Sequence, residues 1–310
     1  MNQPTKTAEA LPDRAHMTRK QLFKQFKKKS RLQEIVAAYC RNKLAVFGLI
    51  VFAAIVGMAL CAPLYLDYQA QCISINPVNR LLPVGSEGHI FGTDDMGRDI
   101  CARLIYGARI SLKIGFLGVT VALLIGGTLG AISGYFGGLI DEVIMRIMDV
   151  FNCLPAMLLA IAIVAAFGTS ELNMLIAIGV ARIPKFARVV RSAVLSISSM
   201  EYVEAARAIG ASTPNIIIGH VLINSLAPII VQTTLSVAGC ISAISSLSFI
   251  GLGIKAPIPE WGNMLSAGRT YMRDHMNMVL APGLAIFFTI LSLNLIGDGL
   301  RDALDPRLKQ

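Results

Sequence analysis

Charged side chains lie close together in three short stretches of this sequence, and each stretch could do chemistry. The first, TDDMGRD, carries Asp94, Asp95, Arg98 and Asp99. Such a cluster of carboxylates can attract an ammonium group, but acidic residues are also common helix caps. Thr93 or Asp94 is predicted to cap a helix that starts near Asp95, and both interpretations stay open.

The second stretch contains Asp141, Arg146 and Asp149. Arg146 and Asp149 are three residues apart, which is the spacing of an ion pair on one helix face. We therefore predict that this stretch forms a charged inner turn that braces the cytoplasmic mouth of the protein.

The third stretch, SSMEYVEAARAIGASTPNIII, begins at Ser198 and is typical of a short polar helix followed by a turn. Ser198 and Glu201 have the spacing of a capping box. Gly210 is predicted to end the helix in a left-handed conformation, and Thr213-Pro214 can begin the next helix. One helical face would carry Tyr202, Ala205, Ala206 and Ile209.

Two functions remain open for this short helix, and a third is excluded. A DNA-binding helix-turn-helix needs a polar recognition helix. The segment that follows is NIIIGHVLINSLAPII, which is apolar, so no nucleic acid partner is expected. The helix is either a docking surface for a partner protein or an amphipathic linker at a membrane surface.

Several kinds of active site are missing from the sequence. It contains no G-x-x-x-x-G-K-[ST] phosphate loop, so the chain is not expected to bind or hydrolyse nucleotide. Its six cysteines and four histidines lack the spacing of a metal site, and no metal is predicted. Cys72 and Cys101 fall in one loop and could pair, although spacing alone does not decide this.

The elements that position these stretches are predicted to be membrane spans. Of the residues, 55% are hydrophobic and only 15% are charged, whereas a soluble domain carries about 25% charged residues. Uncharged runs recur near the spanning length of about 20 residues. They cover residues 44–63, 114–133, 151–169, 221–254 and 276–297. The fourth run exceeds one crossing, so its end, SFIGLGI, is predicted to leave the membrane.

A sixth span is predicted from charge rather than from length. Residues 172–181 are apolar but short, and Lys and Arg accumulate on the cytoplasmic side of membrane proteins. With six spans and a cytoplasmic N-terminus, 20 of the 28 Lys and Arg lie inside; without this span only 15 do. The span would continue as a basic helix through Lys185, Arg188 and Arg191, bent at Pro184.

The predicted organisation is one membrane block with no second soluble domain. Residues 1–43 form a basic cytoplasmic segment, 44–66 the first transmembrane helix and 67–109 an external loop. Residues 110–300 form a five-helix core with an inner loop at 185–220, and 301–310 form a cytoplasmic tail. The N-terminal KQLFKQFKKKSR can rest on anionic lipid, so the net charge of +9 requires no nucleic acid.

The predicted spans carry only mild polar residues and lack the buried Asp, Glu or Arg of ion relays. The candidates for lining a pore are Gln232, Thr233, Ser236 and Asn294. A pore with no energy source of its own is either a channel or a subunit driven by a partner.

The stretch EAARAIG, with Glu204, Ala205, Ala206 and Gly210, resembles the EAA loop of ABC importer permeases. The family pattern is E-A-A, three residues, Gly, nine residues and then I-x-L-P. The last part here is HVLI, so Ile223 replaces the family proline, and Pro228 is a candidate for the kink instead.

Longer stretches resemble the C-type permease of the dipeptide, oligopeptide and nickel branch. They are FGTDDMGRDICARLIYGARISL, GYFGGLIDEVIMRIMDVFNCLP, LSFIGLGIKAPIPEWGNMLSAGR and the tail GDGLRDALDPRL. The resemblance implies an all-α integral membrane protein with six transmembrane helices, the type I ABC importer permease fold and a cytoplasmic EAA coupling helix.

The resemblance also implies roles for particular residues. The ATPase-coupling set would be Glu201, Tyr202, Glu204, Ala205, Ala206, Arg207 and Gly210. An external elbow or substrate entry would include Asp94, Asp95, Arg98, Asp99 and Trp261, the last also being a candidate interfacial anchor.

The implied machine lies in the lipid bilayer of a bacterial inner membrane. It comprises a second homologous permease, two ATP-binding subunits that hold ATP and Mg²⁺, and an external solute-binding protein. This chain would be non-catalytic and bind no cofactor itself. Dipeptides or oligopeptides are the first choice of substrate and nickel or glutathione the alternatives; a self-sufficient channel is the rival from another class.

Overall fold

The computed structural model describes residues 31–304, which fold into helices joined by short turns and one longer segment. The predictions for residues 1–30 and 305–310 lie outside the described residues. The helices are α1 (Arg31–Arg41), α2 (Lys43–Tyr65), α3 (Ile100–Phe136), α4 (Gly138–Asn152), α5 (Ala156–Phe167), α6 (Glu171–Ser198), α7 (Glu201–Ala208), α8 (Thr213–Leu222), α9 (Leu226–Phe249), α10 (Trp261–Gly268) and α11 (Asn277–Leu304).

Four helices are long and apolar enough to cross a membrane: α2, α3, α9 and α11. They contain the predicted runs 44–63 and 114–133, most of 276–297 and the central part of 221–254. α9 ends at Phe249, and Gly251 follows with φ +88°. The helix therefore ends two residues into the SFIGLGI segment.

The prediction of one continuous span over residues 151–169 is wrong. α4 and α5 meet at an angle of 78° across a break before Pro155. Proline has no N–H for a helical hydrogen bond and restricts the residue before it, so the helix stops there. α5 alone has 12 residues, or about 18 Å, which is short of a bilayer core.

α3 and α6 are both longer than predicted. α3 starts at Ile100, inside the expected external loop 67–109, because Asp99 caps it by accepting a hydrogen bond from Ala102 N–H. α6 has 28 residues and continues without interruption through Pro184, where the sequence predicts a bend. At about 42 Å, α6 is long enough to cross a membrane, although its basic half makes it less apolar than the other long helices.

α3 and α6 pack against each other along a stripe of glycines. Gly126, Gly130 and Gly134 recur every four residues on one face of α3 and are all buried. A methyl group at Gly126 would lie 2.5 Å from the Ile183 carbonyl oxygen, and one at Gly134 would lie 2.7 Å from that of Arg191. The two helices therefore approach backbone to backbone, as small-xxx-small stripes allow.

The remaining long helices surround this pair. The main core contains buried side chains from α3, α6, α9 and α11, among them Ile114, Ile178, Phe186, Ile241 and Leu293. α2 packs on α11, where a Cβ at Gly48 would lie 2.9 Å from the Ser292 carbonyl oxygen. The bundle thus has α3 and α6 at its centre and α2 at its edge.

We expect Gly130→Ala to destabilise the bundle, because its methyl group would overlap the Ala187 carbonyl oxygen of α6. Overpacking of this kind costs about 1–3 kcal/mol. The measurement is the thermal unfolding midpoint of the detergent-solubilised protein. Gly127→Ala is the matched control, since its Cβ would meet Leu123 at 3.5 Å, an ordinary contact. Equal midpoints for the two variants would contradict the glycine-dependent packing.

Candidate functional site

The short helix α7 lies at the end of the bundle where α6 finishes. Its N-cap is Met200, which provides no side-chain hydrogen bond. Ser198 still belongs to α6, and its hydroxyl donates to the Leu195 carbonyl oxygen at 3.1 Å. The predicted capping box of Ser198 and Glu201 is therefore wrong, because α6 extends to Ser198 and the serine hydroxyl bonds to the backbone of that helix.

The C-terminal end of α7 agrees with the sequence prediction. Gly210 has φ +82°, in the left-handed region. Its N–H donates to the Arg207 carbonyl oxygen and the N–H of Ala211 to that of Ala206, both at 3.1 Å. These two bonds form a Schellman motif, which ends the helix and turns the chain into α8. α8 begins at Thr213-Pro214, also as predicted.

One face of α7 is fixed to the bundle. Val203 is 0% and Ala206 7% exposed. They share a buried apolar cluster with residues of α3, α6, α8 and α9: Ala131, Val190, Val194, Ile216, Val221 and Ile229. The sequence analysis missed Val203, although its i, i+3 spacing to Ala206 is the signal of an inward stripe. Of the four residues predicted to share a face, only Ala206 points inward.

The opposite face of α7 is exposed and has no other part of the described chain over it. It carries Glu201, Tyr202, Glu204, Ala205 and Ile209. Ile209 is 86% exposed and Tyr202 44%. Arg207 lies at the side of the helix, with its guanidinium 5.6 Å from the Tyr135 ring centroid. The predicted coupling residues thus divide into an outward group, the inward Ala206, the lateral Arg207 and the helix-ending Gly210.

Two ion pairs join α4 to α6 near the same end of the bundle. Asp141 accepts a bidentate pair of hydrogen bonds from Arg191, and Asp149 lies 2.7 Å from Arg188. The predicted pair of Arg146 and Asp149 within α4 is therefore wrong. The two helices lie side by side, so the partner of Asp149 comes from α6 rather than from its own helix.

The acidic stretch at the other end of the bundle is a closed structural unit. One oxygen of Asp94 lies 2.7 Å from Arg98 Nε and 3.4 Å from Arg103 Nε. Its other oxygen accepts from the N–H groups of Met96 and Arg98, both at 2.9 Å. Asp94 therefore does not cap a helix near Asp95; it neutralises two buried arginines.

Asp99 has the capping role that the sequence assigned to Thr93 or Asp94. One carboxylate oxygen caps α3, and the other lies 2.7 Å from His89 Nδ1. Because Asp94 and Asp99 are 7% and 8% exposed, the structure gives them internal partners and not a surface for an ammonium ligand. Cys72 and Cys101 nearby are both free thiols.

Trp261 is 1% exposed, and its indole N–H donates to the Leu104 carbonyl oxygen at 2.9 Å. The prediction of an interfacial anchor is therefore wrong. Glu260 caps α10 by accepting from Gly262 and Asn263 N–H at 2.8 and 2.9 Å, and it accepts from the Ser111 hydroxyl of α3 at 3.3 Å. Burial of the Glu260 carboxyl raises its pKa, because desolvation disfavours the charged form.

Of the predicted pore-lining residues, only Gln232 and Ser236 contact each other through their side chains. Gln232 donates to the Ser236 hydroxyl at 2.7 Å on α9, whereas Thr233 bonds its own helix backbone and Asn294 is exposed on α11. Gln232 also lines a cavity of about 420 Å³ between α6, α9 and α11. The sequence analysis missed Arg182, which approaches α9 in the middle of the bundle.

Residues 126–310 match the family described as the binding-protein-dependent transport system inner membrane component. Residues 30–83 match the N-terminal TM domain of oligopeptide transport permease C.

Curated relatives match most of the chain. It is 49% identical to the dipeptide transport system permease protein DppC of Alkalihalophilus pseudofirmus, covering 87% of this chain and 88% of that protein. It is 42% identical to the di/tripeptide transport system permease protein DppC of Pseudomonas aeruginosa, covering 90% and 93%. It is 40% identical to the glutathione transport system permease protein GsiD of Pectobacterium atrosepticum, covering 89% and 91%.

Solved structures share the fold at low sequence identity. An inward-facing MetNI methionine ABC transporter has a TM-score of 0.53 at 18% identity, covering 66% of this chain and 97% of that chain. An amino acid ABC transporter has a TM-score of 0.51 at 15% identity, covering 65% and 94%. The bundle therefore has the permease fold of these transporters, as the sequence predicts.

We expect Asp94→Asn to destabilise the segment before α3, because it removes the carboxylate from Arg98 and Arg103, which are 7% and 3% exposed. Breaking a buried pair in this way costs about 3–5 kcal/mol. The measurements are the thermal unfolding midpoint and the rate of tryptic cleavage within residues 67–99.

Asp95→Asn is the matched control for this prediction. Asp95 lies 4.0 Å from Arg98 and has a more exposed side chain, so its loss should cost less than about 1 kcal/mol. Equal sensitivity of the two variants would contradict the special role of Asp94.

Proposed function

This chain belongs to the family of binding-protein-dependent transport system inner membrane components, and we propose that it forms half of the pore of an ABC importer for dipeptides or oligopeptides. The substrate class is supported by the relatives named for dipeptides and di/tripeptides. Glutathione is a modified tripeptide and is an alternative supported by the GsiD relative. Nickel, the other alternative, is supported by the resemblance to the dipeptide, oligopeptide and nickel branch and not by the relatives named above.

Six membrane crossings are proposed: α2, α3, the bent pair of α4 and α5, α6, α9 and α11. The length of α6 supports its inclusion, although its basic half lowers its hydropathy. The N- and C-termini and α7 would be cytoplasmic. Support comes from the positive-inside rule: 19 of the 28 Lys and Arg lie on the cytoplasmic side, and Arg182, which the sequence count also placed there, lies within the crossing formed by α6.

The proposed role of α7 is to couple ATP hydrolysis in partner subunits to movement of the pore. One observation carries this proposal: α7 is fixed to α3, α6, α8 and α9 by its inward stripe, while its acidic outward face is uncovered. A partner that pushes on the outward face would therefore move the long helices. The rival linker role needs no such uncovered face.

The other subunits follow from this role. The sequence has no phosphate-binding loop, so ATP and Mg²⁺ would be held by two ATP-binding subunits, and this chain would be non-catalytic with no cofactor of its own. A second, homologous permease would complete the pore, and an external solute-binding protein would deliver the peptide. A self-sufficient channel would need none of these, so co-purification with an ATP-binding subunit separates the two functions.

We expect Gly210→Val to uncouple transport while leaving the bundle folded. Gly210 has φ +82° with open space around its Cβ position, so valine strains the backbone by about 1–2 kcal/mol without a clash. The redirected end of α7 should weaken association with the ATP-binding subunits and lower peptide uptake at normal membrane levels. Uptake into cells and co-purification measure the two effects.

Glu204→Lys tests the same contact through charge, and Glu142→Lys is its control. Both glutamates are exposed, and both would be cytoplasmic, but Glu142 lies on α4. We expect uptake to fall at least tenfold for Glu204→Lys and to stay within twofold for Glu142→Lys. Normal uptake with both Gly210→Val and Glu204→Lys would show that α7 is only a linker.

The orientation is tested by cysteine labelling in a background without the native cysteines. Val78 lies in the segment before α3 and is 89% exposed. Ile209 follows α7 at the other end of the bundle and is 86% exposed. We expect a membrane-impermeant maleimide to label Val78→Cys in intact cells and Ile209→Cys only after permeabilisation. Labelling of Ile209→Cys from outside would overturn the proposed topology.

A further inference from the structure

Arg182 lies at mid-depth in the membrane-spanning part of the bundle. It is eleven residues from Glu171, the first residue of α6, which is about 17 Å along a helix. Its neighbour Gly239 is ten residues from Phe249, where α9 ends, or about 15 Å from the same end of the bundle. Both distances are close to half of a hydrocarbon core of about 30 Å.

The guanidinium of Arg182 lies against α9, beside the backbone of Gly239 and the thiol of Cys240. A Cβ at Gly239 would be 2.7 Å from Nη2 and 3.2 Å from Cζ of Arg182. A methyl group at this position would force the end of the Arg182 side chain to shift. Arg182 is half-buried, so it is not fully enclosed by its own chain.

Arg182 has no carboxylate partner within residues 31–304, the part of the chain that the structure describes. The two arginines nearer the end of α6 differ: Arg188 pairs with Asp149 and Arg191 with Asp141. α2, α3, α5 and α9 contain no Asp or Glu. An unpaired cation at this depth is costly and marks a ligand pathway or a missing partner.

Two polar side chains of α9 lie between the α7 end of the bundle and Arg182. Gln232, Ser236 and Gly239 recur at i, i+4 and i+7 on one face of α9. Gln232 also lines the cavity of about 420 Å³, and so does Val189 of α6. Val189 is seven residues after Arg182 and therefore on the same face of α6. The cavity thus lies on the same faces of α6 and α9 as Arg182 and Gly239, about two helical turns nearer the α7 end.

We propose that Arg182 binds the C-terminal carboxylate of a peptide as it passes through the pore. The proposal rests on the proposed peptide-import function and names a binding group for it. A guanidinium offers two parallel N–H donors to a carboxylate, and Gln232, which lines the cavity, supplies a neutral hydrogen-bonding group about two turns farther along α9. A free C-terminus is common to unmodified peptides, so this contact recognises them regardless of side chains.

The experiment uses the complete transporter reconstituted in proteoliposomes with its binding protein. The two probes are radiolabelled Ala-Ala and the same dipeptide with a C-terminal amide, each at a concentration that saturates the binding protein. The variants are Arg182→Gln, Arg182→Lys and, as a second route to the same contact, Gly239→Ala. Lys185→Gln is the matched control, because Lys185 is an exposed cation on the next turn of α6.

We expect Arg182→Gln to lower Ala-Ala import by about ten- to a hundredfold, the range for loss of a charged hydrogen-bond partner. Import of the amide should change less than threefold. Arg182→Lys should recover part of the Ala-Ala import, Gly239→Ala should act like a milder Arg182→Gln, and Lys185→Gln should match wild type.

Other outcomes would overturn the proposal in distinguishable ways. Normal Ala-Ala import by Arg182→Gln would overturn this inference alone. An equal loss for both probes, with a lower thermal stability of the permease pair, would show that Arg182 pairs with a carboxylate of the second permease. A wild-type complex that imports no peptide would overturn the proposed function, and this inference with it.

Discussion

The close approach of α3 and α6 is the contact on which the rest of the structure depends. It exists because Gly126, Gly130 and Gly134 leave one face of α3 without side chains. Lipid tails are as apolar as leucine, so helices in a bilayer gain little from hydrophobic burial and associate through close packing and polar contacts. The glycine stripe allows this close packing along the two helices, whereas bulky residues would hold the two backbones apart.

Other elements of the fold are attached to both ends of the α3 and α6 pair. At one end the inward stripe of α7 reaches Ala131 of α3 and Val190 of α6. At the other, Asp99 caps α3, and Asp94 holds Arg103 on the first turn of the same helix. A displacement of α7 therefore acts directly on the central pair, which is the mechanical requirement for a coupling helix.

Several arginines of the bundle are neutralised by a carboxylate. Arg103 on the first turn of α3 pairs with Asp94, and Arg188 and Arg191 in the second half of α6 pair with Asp149 and Asp141, since an ion in an apolar environment is stable only when it is paired. Arg182, halfway along α6, has no such partner among the described residues and rests on the glycine backbone of α9. Its position against the middle of α9 separates this candidate binding group from the structural ion pairs.

The sequence by itself determined the all-α membrane class, the apolar cores of α2, α3, α9 and α11, and the end of α7 at Gly210. These features depend on local properties: the length of an apolar run, and a backbone conformation that favours glycine. Only the tertiary structure decided the partners of Asp94, Asp149 and Trp261, and the inward position of Val203. Each of these features depends on which helix lies alongside. The local sequence around such a side chain is the same whichever helix it contacts, so the sequence alone does not identify the partner.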